Sequence, residues 1–115
     1  MDDLRFVAYS YIKQGHYDTA LKIFEALVVL DPKNSYDLQS LGALYLQQGN
    51  GLEALHYLDR ALKSDPGHFP SLLNRTKALF ILGYKKQAVT QAIELEKCKD
   101  KEIATQASAL LMTYR

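Results

Sequence analysis

The sequence repeats itself with a period of 34 residues, and this period constrains the fold more than any other feature. Three sets of positions share the spacing: Gly15, Gly49 and Gly83; Ala20, Ala54 and Ala88; Leu21, Leu55 and Val89. The dipeptide Asp31-Pro32 returns as Asp65-Pro66. The 115-residue chain is therefore expected to be a single domain over residues 1–115, with three units at about residues 1–34, 35–68 and 69–102.

Each unit has the pattern of two α-helices joined by a glycine turn. In the first unit, apolar residues recur at helical spacing from Leu4 to Tyr11 and again from Ala20 to Leu30. The glycine permits the positive φ of a tight turn, and the proline after the second helix lacks the N–H that would extend it. Ser35 is predicted to be the N-cap of the next helix. No segment shows strand alternation, so the sequence predicts an all-α protein.

A last helix is predicted at about residues 101–114. Its apolar stripe consists of Ile103, Ala104, Ala107, Leu110, Leu111 and Tyr114. Because each unit of a repeat array buries its apolar face only against a neighbour, the third unit needs such a capping helix.

The repeated motif resembles the tetratricopeptide repeat. The second unit carries Leu38-x2-Leu41-Gly42-x2-Tyr45, Ala54-x3-Leu58 and Pro66, and the first carries Ala8-x2-Tyr11, Ala20-x3-Phe24 and Pro32. The third unit is less regular, since Arg75, Thr76 and Leu79 stand where Leu, Gly and Tyr are usual. The resemblance implies a solenoid of three helix-turn-helix repeats with a C-terminal capping helix, wound as a right-handed superhelix with one concave groove.

In that family the first helix of each repeat lines the groove. The resemblance therefore implies a client-peptide-binding surface made of Arg5, Tyr9, Ile12, Tyr36, Gln39, Leu46, Leu73, Lys77 and Phe80. Its apolar and aromatic content suits a protein segment with hydrophobic anchors, either extended or an amphipathic helix, whose polar groups Arg5 and Lys77 would orient. Ile12 and Leu73 have the alternative of packing in the core. Tyr9 and Ala43 replace the asparagines with which some relatives clamp the acidic C-terminus of a heat-shock chaperone.

The first helix is apolar over most of its surface. From Leu4 to Ile12, seven of the nine residues are apolar or aromatic, whereas the end helix of a solenoid needs a polar outer face. Leu4 and Phe6 are therefore predicted to form a partner interface, with a second small helical protein or a second copy. In the alternative interpretation, Phe6 packs against the second helix of its own unit.

Catalytic and metal-binding patterns are not found in the sequence. The histidines His16, His56 and His68 fall in separate segments, and Cys98 has no histidine near it in sequence. Neither H-E-x-x-H nor C-x-x-C occurs, so we expect no catalytic residue, metal site or cofactor. The net charge of +1 and the lack of an 18-residue apolar run argue against nucleic-acid and membrane partners.

A narrower resemblance comes from the segment Phe24–Asp31, followed by Ser35 and by Leu41-Gly42-Ala43. It is similar to the tetratricopeptide chaperones of bacterial type III secretion, a protein-transport system linked to virulence. The resemblance implies a cytoplasmic protein that keeps a translocator subunit soluble until export. Related co-chaperones of the needle subunit are about this short, so both clients stay open. A generic scaffold or adaptor in another assembly is the alternative.

Overall fold

A computed structural model of the protein describes residues 2–114. Over this range the chain forms seven α-helices and no β-strand, which confirms the predicted all-α fold class. The helices are α1 (Asp2–Lys13), α2 (Tyr17–Leu30), α3 (Ser35–Gln47), α4 (Gly51–Ser64), α5 (Phe69–Leu82), α6 (Lys85–Glu96) and α7 (Lys101–Tyr114). Helices adjacent in sequence pack against each other along the whole array.

The three turns inside the helix pairs share one backbone geometry. Gly15, Gly49 and Gly83 have φ values of 81°, 78° and 88°, a left-handed conformation that glycine adopts without a Cβ clash. In each turn the N–H after the glycine donates to the carbonyl four residues before the glycine, at 2.8–2.9 Å. The 34-residue period of the glycines therefore reflects the same helix-ending turn in each of the three helix pairs.

Asparagine, rather than serine, caps two of the helices. The side chain of Asn34 accepts a hydrogen bond from the Asp37 N–H at 2.9 Å, and Ser35 is the first residue of α3. The prediction of Ser35 as the N-cap was therefore wrong by one residue. Asn50 caps α4 in the same way, by accepting from the Glu53 N–H at 3.2 Å.

Small residues let paired helices approach closely. Ala8, Ala20, Ala54 and Ala88 are fully buried. At Gly42, a Cβ would lie only 2.7 Å from Cγ of Leu58, so the Leu58 side chain of α4 packs directly on the backbone of α3. Larger apolar residues fill the remaining space, with Phe24, Leu27, Leu38 and Leu41 forming the centre of the largest cluster.

The first helices of successive pairs are not equally spaced. The backbones of α3 and α5, and of α5 and α7, come within 8 Å of each other, measured between Cα atoms. Among the described residues, no Cα of α1 lies within 8 Å of a Cα of α3. This α1–α3 gap is crossed by side chains alone, and it opens the groove at its N-terminal end.

Candidate functional site

An uncharged hollow of about 420 Å³ lies between α1 and α3. We call it the α1–α3 hollow. Its lining consists of aromatic, apolar and amide side chains and one serine: Tyr9, Ile12, Tyr17, Tyr36, Gln39, Ser40, Ala43, Leu44 and Gln47. Four of the residues predicted from the repeat register, Tyr9, Ile12, Tyr36 and Gln39, are thus brought together here. The volume falls within the range of about 300–1,000 Å³ that is usual for ligand sites.

The Tyr9 ring is held in place from both sides of the hollow. It meets Phe24 edge to face at a centroid distance of 5.7 Å and Tyr36 at 6.1 Å. Its hydroxyl lies 3.3 Å from Oγ of Ser40 on α3. Tyr36 is 51% exposed, so its ring presents free apolar surface to the groove.

Burial changes the acidity of the Tyr9 phenol. Desolvation is the main cause that raises its pKa well above the usual 10.0, and the neighbouring Tyr36 adds to the effect, while the hydrogen bond with Ser40 opposes it. The phenol therefore stays neutral at physiological pH. The lining of the α1–α3 hollow consequently carries no charge and favours apolar or neutral polar groups.

A buried ion pair bridges the α1–α3 gap near the start of both helices. Nε and Nη2 of Arg5 donate to Oδ1 and Oδ2 of Asp37, each at 2.7 Å. The Arg5 side chain is 17% exposed and that of Asp37 is fully buried. The expectation that Arg5 orients the client's polar groups is therefore corrected, because its guanidinium joins the two walls of the groove.

Two residues predicted to line the groove are in the core instead. Leu73 is 4% exposed and Phe80 is 8% exposed. Helix α7 covers this part of α5, and the Phe80 ring stacks on that of Tyr114 at a centroid distance of 4.7 Å. The repeat register assigned both residues to the groove by analogy with the first two repeats. In the third repeat, the capping helix α7 packs on α5 and buries them.

Leu46 and Lys77 lie outside the α1–α3 hollow. Leu46 is half-buried and packs against the cluster formed by Ala54, Leu58 and Ala78. Lys77 is half-buried and makes no ion pair within residues 2–114. Neither residue is brought together with Tyr9 and Tyr36, so any role in client binding belongs to another part of the groove.

Of the other five lining residues, Ala43 and Gln47 also stand at groove positions of the repeat register, whereas sequence reasoning missed Tyr17, Ser40 and Leu44. Tyr17 is the first residue of α2, so the second helix of the pair contributes to the wall. The sequence could have indicated Ser40, because it is a hydroxyl residue amid the apolar pattern of α3. In the structure it is only 6% exposed. A buried hydroxyl needs a hydrogen-bond partner, which here is Tyr9.

The predicted partner interface is exposed in the structure. Phe6 is 73% exposed and Leu4 is 43% exposed, and neighbouring Val7 is 41% exposed. The alternative that Phe6 packs against α2 therefore does not hold. Val29 and Leu30, at the end of α2, are exposed as well.

The residues that the structure describes include no group of three or more His, Cys, Asp and Glu side chains placed to hold a metal ion. Nδ1 of His68 lies 2.6 Å from Oγ of Ser71, but Ser71 is fully buried and out of reach of a substrate. In the same part of the chain, no helix combines the length and apolarity needed to span a bilayer.

Comparison with known families and curated proteins agrees with the repeat geometry. A family model described as tetratricopeptide repeat matches residues 8–81. The human protein O-mannosyl-transferase TMTC2 is 32% identical over 96 residues, which cover 77% of this chain and 11% of TMTC2. The chain spans only 5–12% of the length of the curated relatives that it matches.

Two solved structures share nearly the whole fold. The type III secretion translocator chaperone SycD of Yersinia enterocolitica is 26% identical, with a TM-score of 0.87 over 98% of this chain and 81% of SycD. PcrH, solved in complex with the chaperone binding region of PopD, is 21% identical, with a TM-score of 0.87 over 98% of this chain and 89% of PcrH. At that identity the likeness to PcrH shows the fold alone.

Proposed function

Because this chain belongs to the tetratricopeptide repeat family, a non-catalytic scaffold for protein interactions, we propose that it sequesters a segment of a client protein in its groove. The client's apolar anchors would replace water in the α1–α3 hollow, against Tyr9, Ile12, Tyr36 and Gln39. While bound there, the segment is unable to associate with other copies of itself.

The observation that carries this proposal is the lining of the α1–α3 hollow. It offers aromatic surface and neutral hydrogen-bonding groups, with no charge. Burial of one large apolar side chain contributes about 1.5–3 kcal/mol, so two or three anchors supply a useful affinity. The amides of Gln39 and Gln47 are suited to hydrogen bonds with the backbone of the client.

The specific client class that we propose is a translocator or needle subunit of bacterial type III secretion, bound in the bacterial cytoplasm before export. Support comes from the segment Phe24–Asp31 and from the likeness to SycD over 98% of this chain at 26% identity. The alternative is a generic scaffold or adaptor within a larger assembly. Its support comes from long relatives such as TMTC2, of which the matching segment is a small part.

A comparison of co-purifying proteins from the native host tests the proposal. Tagged wild-type protein is compared with Tyr36→Glu, which places a charge in the hollow at a 51% exposed position. The matched control is Leu52→Glu, which places the same charge at a 69% exposed apolar position on α4. Circular dichroism confirms equal helicity, and mass spectrometry identifies and quantifies the bound proteins.

We expect one stoichiometric client that is retained by Leu52→Glu and lost by Tyr36→Glu. A translocator or needle subunit would support the secretion role and choose between the two classes, and an additional small helical protein would point to the needle complex. A client from an unrelated assembly would support the adaptor role. Client binding that Tyr36→Glu leaves unchanged would remove the groove from the proposal.

We further propose that Leu4 and Phe6 form the interface with a second protein or a second copy. Leu4, Phe6 and Val7 are large apolar side chains exposed within one turn of α1, and exposed apolar surface marks interaction sites. The variant Phe6→Glu should abolish this second association while it leaves the client in the groove. Sedimentation of the purified protein and the same co-purification assay measure both effects. A monomeric wild-type protein, together with a full set of partners on Phe6→Glu, would contradict this interface.

A further inference from the structure

A second hollow, of about 510 Å³, lies where the α2–α3 loop meets the end of α4. Its lining consists of Pro32, Lys33, Arg60, Lys63 and Ser64. All three charged residues are cationic, and none of the five lines the α1–α3 hollow. We call this surface the cationic hollow.

Arg60 is held in position at the centre of this surface. Its Nη2 donates to the carbonyl oxygen of Pro32 at 3.3 Å, and its guanidinium lies 5.5 Å from the centre of the Tyr57 ring. Tyr57 in turn stacks on Tyr45 at 5.6 Å with parallel rings. The guanidinium is therefore oriented before any ligand arrives, and it retains donors that have no protein acceptor within residues 2–114.

The lining of the cationic hollow has three cations, and the carboxylates that flank it in sequence are Asp31, which accepts a hydrogen bond from Asn34 at 3.3 Å, and Asp65. Lys33 and Lys63 make no ion pair among the described residues. The carboxylate beside Arg60 in sequence, Asp59, is engaged by Arg75 at 2.6 Å.

We propose that the cationic hollow binds an acidic segment of a partner protein. An extended run of carboxylates matches cations that come from two elements, the loop and α4, around an open space of several side chains. Because the two hollows share no residue, this segment and the groove client are able to bind together.

Binding of an acetylated oligoglutamate peptide tests the proposal, with an oligoglutamine peptide as the neutral probe and inorganic phosphate as a separate ligand. The test variant is Lys33→Gln with Lys63→Gln. The matched control is Lys85→Gln with Lys86→Gln, which removes two exposed lysines from the start of α6. Arg60 is left unchanged because it packs on Tyr57.

We expect oligoglutamate to shift the amide NMR signals of Lys33, Arg60 and Ser64 in the wild-type protein. The test variant should bind it about tenfold more weakly, whereas the control and Tyr36→Glu should bind it as the wild type does. The proposal is overturned by absence of binding, by equal weakening in both lysine pairs, or by phosphate shifting these signals where oligoglutamate does not. Because Tyr36→Glu is included, failure here is distinguishable from failure of the groove proposal.

Discussion

The buried ion pair between Arg5 and Asp37 depends on both partners being present. Asp37 is fully buried, and the guanidinium satisfies both of its carboxylate oxygens at 2.7 Å. Removal of one partner from a buried pair leaves an uncompensated charge. We therefore predict that Arg5→Met lowers the free energy of unfolding by about 3 kcal/mol, measured by urea denaturation.

The control for this prediction is a more exposed ion pair, between Arg75 and Asp59. Its side chains are 27% and 51% exposed, so water screens the charges. Arg75→Met should cost less than about 1 kcal/mol. Equal costs for the two arginine variants would show that burial of Asp37 does not govern the stability of the Arg5 pair.

The close contact between Gly42 and Leu58 leads to a prediction about steric fit between α3 and α4. A Cβ at this position would lie 2.7 Å from Cγ and 2.8 Å from Cδ2 of Leu58, so Gly42→Ala has to displace the Leu58 side chain or the helices themselves. We expect a loss of about 1–3 kcal/mol, seen as a lower Tm. Gly67→Ala, where a Cβ meets nothing within 4 Å, should leave the Tm unchanged or raise it slightly. A Tm of Gly42→Ala that equals that of the wild type would contradict the close packing.

Ionisation of Tyr45 makes the stability of the protein depend on pH in the alkaline range. Burial, followed by the charge of Glu25, raises the pKa of Tyr45 from 10.0 to about 12. A raised pKa in the folded state stabilises the protein below pH 10, and this contribution is lost as the pH rises from 10 towards 12. Tyr45→Phe should therefore lose less stability than the wild type across that interval. Urea denaturation at several pH values measures the difference, and parallel curves for the two proteins would refute it.

At the scale of elements, the positive φ of each turn glycine fixes where the helices of a pair separate. At Gly49, with φ of 78°, alanine is strained, and we expect Gly49→Ala to cost about 1 kcal/mol. Asparagine tolerates this conformation better, so Gly49→Asn should be less destabilising. Thermal unfolding of both variants measures the order of stability. The reverse order would mean that the turn conformation is not what selects glycine.

The helices were predictable from sequence because their signals are local and repeated. The glycine turns, the buried alanines and the prolines each act within a few residues of their position. The same period misplaced Leu73 and Phe80, because it assumes that every repeat has the same neighbour, whereas α7 with Tyr114 follows the third repeat. Contacts between elements were not predictable, since Arg5 and Asp37 are 32 residues apart and nothing local pairs them.

At the scale of the whole molecule, each helix packs mainly on its neighbours. A substitution that destabilises one end of the array should therefore have little effect on the other end. Leu111 is 3% exposed and packs with Leu79, Phe80 and Ala88. We predict that Leu111→Ala costs about 3 kcal/mol and speeds amide hydrogen exchange in α5, α6 and α7, with little change in α1 and α2.

The adjacent residue supplies the control for this experiment. Met112 is 87% exposed, so Met112→Ala should change stability by less than about 0.5 kcal/mol and leave the exchange pattern unchanged. Uniform acceleration of exchange along the chain in Leu111→Ala would show that the array unfolds as one cooperative unit.

The α1–α3 gap has a consequence for how such a protein diverges. Because side chains alone cross it, the bulk of Tyr9, Ile12 and Tyr36 sets the size of the hollow, while the backbone of both helices stays in place. Under the proposed function, substitutions at the 51% exposed Tyr36 therefore change which anchor fits, while the contacts of Tyr9 with Phe24 and Ser40 stay in place. If the hollow binds a client as proposed, a gene duplicate needs few mutations to accept a different anchor, provided that the Arg5–Asp37 pair is kept.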